Sequence, residues 1–187
     1  MPDLSPDDTL ALIRSRRTIH LFDERPVDSD LIDAALEAAV QAPNHRRTRP
    51  WRFYVLGPES RVALVARNTE MVRSGKGEEA AANKQAAWSR IPAMIVVTSL
   101  RSDDAMRERE DYGAVSAAIQ NLSLYLHSAG VGVKWSTGGI TRDGQALDLL
   151  GIDPAREYVA GLLMIGYAAT SPADEVRSAD AVTRRLP

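Results

Sequence analysis

The sequence predicts an α+β domain, or a three-layer α/β/α one, on three observations. Four strand-like segments, near residues 51, 93, 133 and 158, are separated by helix-like stretches, a pattern that sets one sheet against covering helices. The 187 residues are 44% hydrophobic and 26% charged, a globular composition with enough length to bury a core. No internal repeat, low-complexity linker or second domain interrupts the pattern, so residues 1–187 read as one domain with extended tails at 1–8 and 169–187.

Ser5-Pro6-Asp7-Asp8 reads as a helix start, with a capping hydroxyl and then proline and acids in the first turn. Leu10, Leu12 and Ile13 follow, and the helix is expected to finish around 14–17. Pro26 drives its predecessor away from helix and makes 22–26 a loop. Asp28-Ser29-Asp30 caps a second helix, with Leu31, Ile32, Ala35, Leu36 and Ala39 at helical spacing and an end before Pro43. Residues 51–56 form the first strand, closed by Gly57-Pro58.

From Glu59 to about Arg73 the pattern is an amphipathic helix; Ser74-Gly-Lys-Gly77 reads as a mobile break before an alanine-rich helix over 78–89. Residues 93–98 have the continuous apolar look of a strand covered on both faces. Residues 101–109 are charged and begin as a loop. A long apolar helix spans 111–128, its small residues Gly113, Ala114, Ala117 and Ala118 allowing close packing and its polar Gln120, Asn121 and Ser123 forming a solvent edge. Gly130-Val-Gly132 feeds a short strand over 133–136, a short helix lies around 145–150, and 157–167 is the last strong strand.

Composition excludes several functions. A net charge of -2 argues against a surface-wide footprint for nucleic acid or anionic membrane. The absence of cysteine excludes disulfides, thiolate nucleophiles and Cys-ligated metal, and fits a reducing cytoplasm. The N-terminus is acidic and lacks an apolar signal core, and the longest apolar runs fall short of the roughly 20 residues that span a bilayer. The expectation is a cytoplasmic protein with neither nucleic acid nor membrane as partner.

Two basic knots stand out against this balanced background. Arg16-Arg17-Thr18 at a helix end reads either as a cationic C-terminus facing the macrodipole or as a clamp for a phosphate or a pyrimidine. Ala42-Pro-Asn-His-Arg-Arg-Thr-Arg-Pro-Trp-Arg-Phe53 reads either as a solvated basic loop or as a nucleic-acid contact, with Trp51 assigned to the core. Trp135-Ser-Thr-Gly-Gly139 is either a turn or a nest of amides and hydroxyls for an anion or heterocycle. His20, His45 and His127 are far apart and lack ligand spacing, so no metal site is expected. Gly130-Val-Gly132 lacks the third glycine of a dinucleotide fingerprint, a Walker loop is missing, and no catalytic acid, base or nucleophile stands out.

In order, Ile13-Arg-Ser-Arg-Arg-Thr-Ile-His-Leu-Phe22, the Ala42–Phe53 loop, Pro92–Val97, the 111–128 helix, Gly130–Trp135 and Leu163–Tyr167 resemble the FMN-dependent nitroreductases over residues 8 to 168. The Ala-Pro-Asn-His loop is similar to that of the compact branch. The resemblance implies a mostly antiparallel central sheet and an intertwined homodimer, with FMN at the subunit interface and the 169–187 tail packed on the partner. It implies that Arg16, Arg17 and Thr18 bind the phosphate, ribityl chain and pyrimidine edge of the flavin from one subunit. His45, with Gln41 near it, would reach the same flavin from the other, while Trp135, Ser136 and Thr137 line it. Arg177 stands for a basic pair near the end of many relatives. Arg47 and Arg49 depart from the usual Asn and Gln, His20 replaces a permanent charge, and the flavin contacts of Arg46, Arg47 and Arg49 stay open.

The implied activity is ping-pong: NAD(P)H gives hydride to flavin N5, and a nitroaromatic, quinone or other electron-poor acceptor then takes two electrons. Flavin carries such a redox step while protein supplies position and electrostatics, which agrees with the missing catalytic residues. The alternatives are a flavin-binding or flavin-handling protein on the same fold without turnover and, further off, a nucleic-acid binder using the arginine loop.

Overall fold

Four strands pair into one antiparallel sheet in the computed structural model, which describes residues 5–173, 175 and 177–187. They are β1 (Trp51–Val55), β2 (Ala93–Leu100), β3 (Gly132–Ser136) and β4 (Glu157–Gly166), in spatial order β1-β2-β4-β3. Every neighbouring pair is antiparallel. The two longest apolar runs take the central positions, because only there are both faces covered.

Side chains alternate across the sheet with the period of two that strands impose, which splits the core in half. Ile95, Val97, Leu163 and Ile165 face α2 (Ser29–Ala39) and α5 (Ala105–Ser128), meeting Ala35, Ala39, Val115, Ala118, Ile119 and Leu122. Met94, Val96, Leu162 and Met164 face the other way, toward α3 (Pro58–Lys76), α4 (Glu78–Ser89) and α6 (Gly144–Leu149), where Leu64, Val65, Trp88 and Ala146 pack. Each fully buried aliphatic side chain contributes roughly 1.5–3 kcal/mol. The result is the three-layer α/β/α arrangement. The remaining helix, α1 (Pro6–Ser15), buries no residue, and its Leu10 and Ile13 are exposed.

Glu157, buried at the start of β4, accepts hydrogen bonds from the Tyr54 hydroxyl at 2.6 Å and from Thr98, tying β1, β2 and β4 together. Burial, then the bond to Glu157, pushes the Tyr54 phenol up to about 12.

Some boundaries differ from expectation for identifiable reasons. α1 begins at Pro6 as the capping pattern predicts, with the Ser5 hydroxyl accepting from the Asp8 N–H at 3.1 Å, so the extended tail shortens to the residues before the cap. α5 starts at Ala105 and not at 111: the Asp104 side chain caps it, accepting from Met106 and Arg107 N–H groups at 2.9 and 3.3 Å. α3 runs through Ser74, Gly75 and Lys76, so the break narrows to Gly77 at φ 87. Only Gln120 of the expected solvent edge is exposed; Ser123 is buried on the Ile119 carbonyl and Asn121 donates to Ala38 of α2.

Asp143 caps α6 through the Ala146 N–H at 2.9 Å and takes a fork from Arg67 of α3 at 2.7 and 2.6 Å. The Arg67 bond, aided by the Ala146 N–H, holds its carboxyl below the usual carboxylate range. A carboxyl more acidic in the folded than in the unfolded chain stabilises fully above its unfolded value, and that stability fades as pH falls through the folded one. Asp143→Ala is therefore expected to cost about 1 kcal/mol from the cap alone at neutral pH. In urea melts, its deficit against the wild type should shrink at pH 3.

Candidate functional site

α1 stops at Ser15 because Arg16 leaves helical geometry at φ -61, ψ 129. The chain then runs along the outer edge of β3: Thr18 bridges Val133 in parallel, and the Ile19 N–H donates to the Val133 carbonyl at 3.3 Å. Gly132 permits this approach, since a Cβ there would overlap the Ile19 side chain. Three residues on, the Trp135 indole N–H donates to the Ala160 carbonyl at 3.0 Å. Its ring lies over Gly161, where any Cβ would strike it. Trp135 is thus fixed yet 39% exposed, with half-buried Ser136 and exposed Thr137 beyond it.

Cations gather beside this edge. Arg17 donates to the carbonyls of Arg14, Arg16 at 3.0 Å, Ala173 at 3.2 Å and Glu175 at 3.2 Å, so the chain past the last strand folds back over the end of α1. Arg177 pairs with Glu175 at 2.6 Å. Arg16 is half-buried, and burial, then the charges of Arg177 and Arg17, work against its own charge. A guanidinium cannot escape by losing its proton, so the repulsion stands; among the described residues no carboxylate is paired with Arg16. An anion with several oxygens would relieve it.

The His45 loop lies elsewhere. Arg46, Arg47 and Arg49 all have left-handed backbone, at φ 56, 54 and 47, a conformation that side chains other than glycine adopt at a cost. Asn44 holds it: its Oδ1 accepts from the Arg49 N–H at 2.7 Å, and its Nδ2 donates to Thr48 at 2.9 Å and to the His45 carbonyl at 3.3 Å. Thr48 in turn donates to buried Asp111 of α5. This turns the side chains of His45, Arg46, Arg47 and Arg49 outward. Arg46 comes near enough to Asp104 to help keep that carboxyl ionised, after the Arg107 and Met106 N–H groups. Beside Asp104 opens a cleft of about 550 Å³, lined by Arg101, Asp103, Arg107 and Arg156 among others, with its acids and bases interspersed.

Arg16, Arg17, Thr18 and Arg177 therefore converge beside β3, with Trp135 and Ser136 on that strand and Thr137 just past its end. His45 does not join them within one chain, and Gln41, just past α2, turns back to donate to the Glu37 carbonyl of that helix at 3.3 Å. α5 sets the separation: the His45 loop is anchored at Asp111, whereas Ser15 meets His127, roughly 24 Å further along the helix axis. Sequence reasoning missed His127 and Ser15 in the cluster, the Asn44–Thr48–Asp111 lock, and the seats that Gly132 and Gly161 provide. A glycine inside the apolar run of β4 is the signal that could have revealed the last.

Among the described residues no helix is long and apolar enough to cross a membrane, and no three or more His, Cys, Asp or Glu side chains gather as metal ligands. The family described as the nitroreductase family matches residues 13–167. A Bacillus subtilis protein with the provisional name NAD(P)H nitroreductase YfhC is 34% identical over 166 residues, covering 86% of this chain and 84% of its own. The crystal structure of a nitroreductase-like family protein from Bacillus cereus superposes with a TM-score of 0.83 at 26% identity, covering 100% of this chain and 98% of that one. A Desulfovibrio desulfuricans protein, described as a nitroreductase in complex with FMN, gives 0.76 at 25% identity, covering 98% of each chain.

Proposed function

The chain belongs to the nitroreductase family, and from that premise we propose that it is an FMN-dependent NAD(P)H oxidoreductase working as a homodimer with FMN at the subunit interface. The observation that carries this reading is Arg16: half-buried, repelled by Arg17 and Arg177, and unpaired with any carboxylate among the described residues. Such a group fits the phosphate of a flavin mononucleotide, whose oxygens match the guanidinium fork.

The other residues take roles their positions allow. Arg17 and Arg177 complete the phosphate end, with Glu175 balancing Arg177. Thr18, exposed beside β3, faces the ribityl chain and pyrimidine edge, while Trp135, Ser136 and Thr137 line the ring system. His45, with Gln41 beside it, comes from the second subunit, which answers the separation that α5 imposes within one chain. Leu10 and Ile13 on α1 are exposed apolar surface that such a subunit would cover, and exposed Val182 and Leu186 of the C-terminal segment add to it.

Bound FMN would supply the redox chemistry, a two-electron transfer from NAD(P)H to a nitroaromatic, quinone or other electron-poor acceptor in a ping-pong cycle. The protein binds, orients and neutralises, and no side chain is assigned a proton-transfer role.

Purified protein is expected to be yellow, with flavin absorption bands that NADH or NADPH bleaches anaerobically and a nitroaromatic restores. Colourless protein that refuses added FMN overturns the reading. Bound FMN that neither nucleotide bleaches would favour a flavin-handling role without turnover.

A further inference from the structure

His127 has no role in the function proposed above, yet it lies beside Arg16 and Arg17. It sits in the last turn of α5, half-buried, with Nε2 2.8 Å from the Ser15 hydroxyl at the end of α1. Ser15 directly precedes Arg16 and Arg17, and both guanidiniums act on the imidazole. The Ser15 hydroxyl also donates to the Leu12 carbonyl at 3.1 Å, so it accepts from an Nε2–H of His127. That arrangement suits one neutral tautomer and equally the protonated ring, which carries a hydrogen on both nitrogens. Protonation therefore leaves the contact to α1 intact.

We infer that His127 is a positioning residue at the phosphate end of the flavin site, taking up a proton as the phosphate binds beside Arg16 and Arg17. The inference rests on the FMN reading above. The surroundings of His127 supply the reason. The end of α1 faces it with Ser15, Arg16 and Arg17, and the C-terminal segment reaches those arginines with Arg177 and Glu175. The last turn of α5 adds Tyr125 but no carboxylate. The carbonyls ending α5 favour a cation at this position. Burial and the two guanidiniums outweigh them and press the imidazole below its ordinary value. A dianionic phosphate between the arginines cancels the repulsion that keeps the proton off and adds an attraction of its own.

The consequence is linkage. A group that holds its proton more tightly in the complex than in the free protein makes binding tighter as pH falls from its bound-state to its free-state value. Within that window, FMN affinity gains up to about tenfold per pH unit, and outside it this contribution is flat. The phosphate's own second ionisation near pH ~6 acts in the opposite sense, so the comparison must be between variants and between ligands.

The test is an NMR titration of the His127 imidazole, assigned with His127→Gln, in the cofactor-free protein and at saturating FMN or riboflavin. FMN should raise its pKa by at least about one unit, and riboflavin, which lacks the phosphate, should leave it nearly unmoved. FMN dissociation constants measured between pH 5 and 8, a range of about one and a half units either side of a histidine's ordinary value, should lose the histidine contribution in His127→Gln. FMN that binds while the His127 titration stays put overturns this inference and leaves the flavin reading standing. Equal shifts with FMN and riboflavin overturn the phosphate assignment. A protein that takes up no FMN overturns both.

Discussion

Replacing Arg16 with alanine should strip the protein of flavin without unfolding it. A hydrogen bond to a charged group contributes ~1.5–3 kcal/mol, and a guanidinium–phosphate fork lies toward the upper end. The FMN dissociation constant is therefore expected to rise about 10- to 100-fold, measured by flavin fluorescence, while riboflavin binding changes little. Arg16→Lys keeps the charge but loses the fork and should fall between the two. Cofactor-free Arg16→Ala should melt no lower than the wild type, because the mutation removes a half-buried cation that Arg17 and Arg177 oppose. Arg17 makes the contrast. Its guanidinium holds the carbonyls of Arg14, Arg16, Ala173 and Glu175, so Arg17→Ala should lose stability and flavin together. If Arg16→Ala binds FMN as the wild type does, the phosphate end lies elsewhere.

The same residues show what a sequence can and cannot convey. Helix starts were legible where a capping side chain stood directly before an apolar stripe, as at Ser5 and Asp28. They were not legible at α5, whose opening turns over 105–110 are charged and half-buried or exposed, so the apolar period begins only at Asp111 although Asp104 already caps the helix. The central strands announced themselves by burial on both faces, and Gly75 misled because local bonds carry α3 past it, Arg73 donating to Glu70 and Glu78 and the Gly77 N–H closing on the Arg73 carbonyl.

At the site, the arginines were visible as residue types but their geometry was not. Ser15 meets His127 across 112 positions, and Arg17 reaches Ala173 across 156, separations over which a linear pattern carries no signal. The resemblance to a family supplied the cofactor and the partition between subunits. The residues alone left Arg16–Thr18 and the His45 loop open between a site and a solvated basic surface.

That partition leads to the second large effect, one that only a site made of two chains can produce. His45→Ala should weaken FMN binding, as Arg16→Ala does, though the two residues belong to opposite ends of α5 in any single chain. Each variant homodimer carries the same defect in both of its sites, because a two-fold interface repeats every contact. Co-refolding the two variants in equal amounts makes mixed dimers. In these, one site combines both defects, and the other pairs an intact Arg16 from one subunit with an intact His45 from its partner. Random exchange should thus return roughly a quarter of all sites to wild-type affinity, read as a tight phase in an FMN titration that neither variant shows alone. Were His45 and Arg16 to act on one flavin within a single chain, mixing would restore nothing, since every chain carries a defect. If His45→Ala alone binds FMN normally while Arg47→Ala does not, the loop meets the flavin through its left-handed arginines. The Asn44–Thr48–Asp111 lock would then be aiming a guanidinium where the imidazole is now assigned.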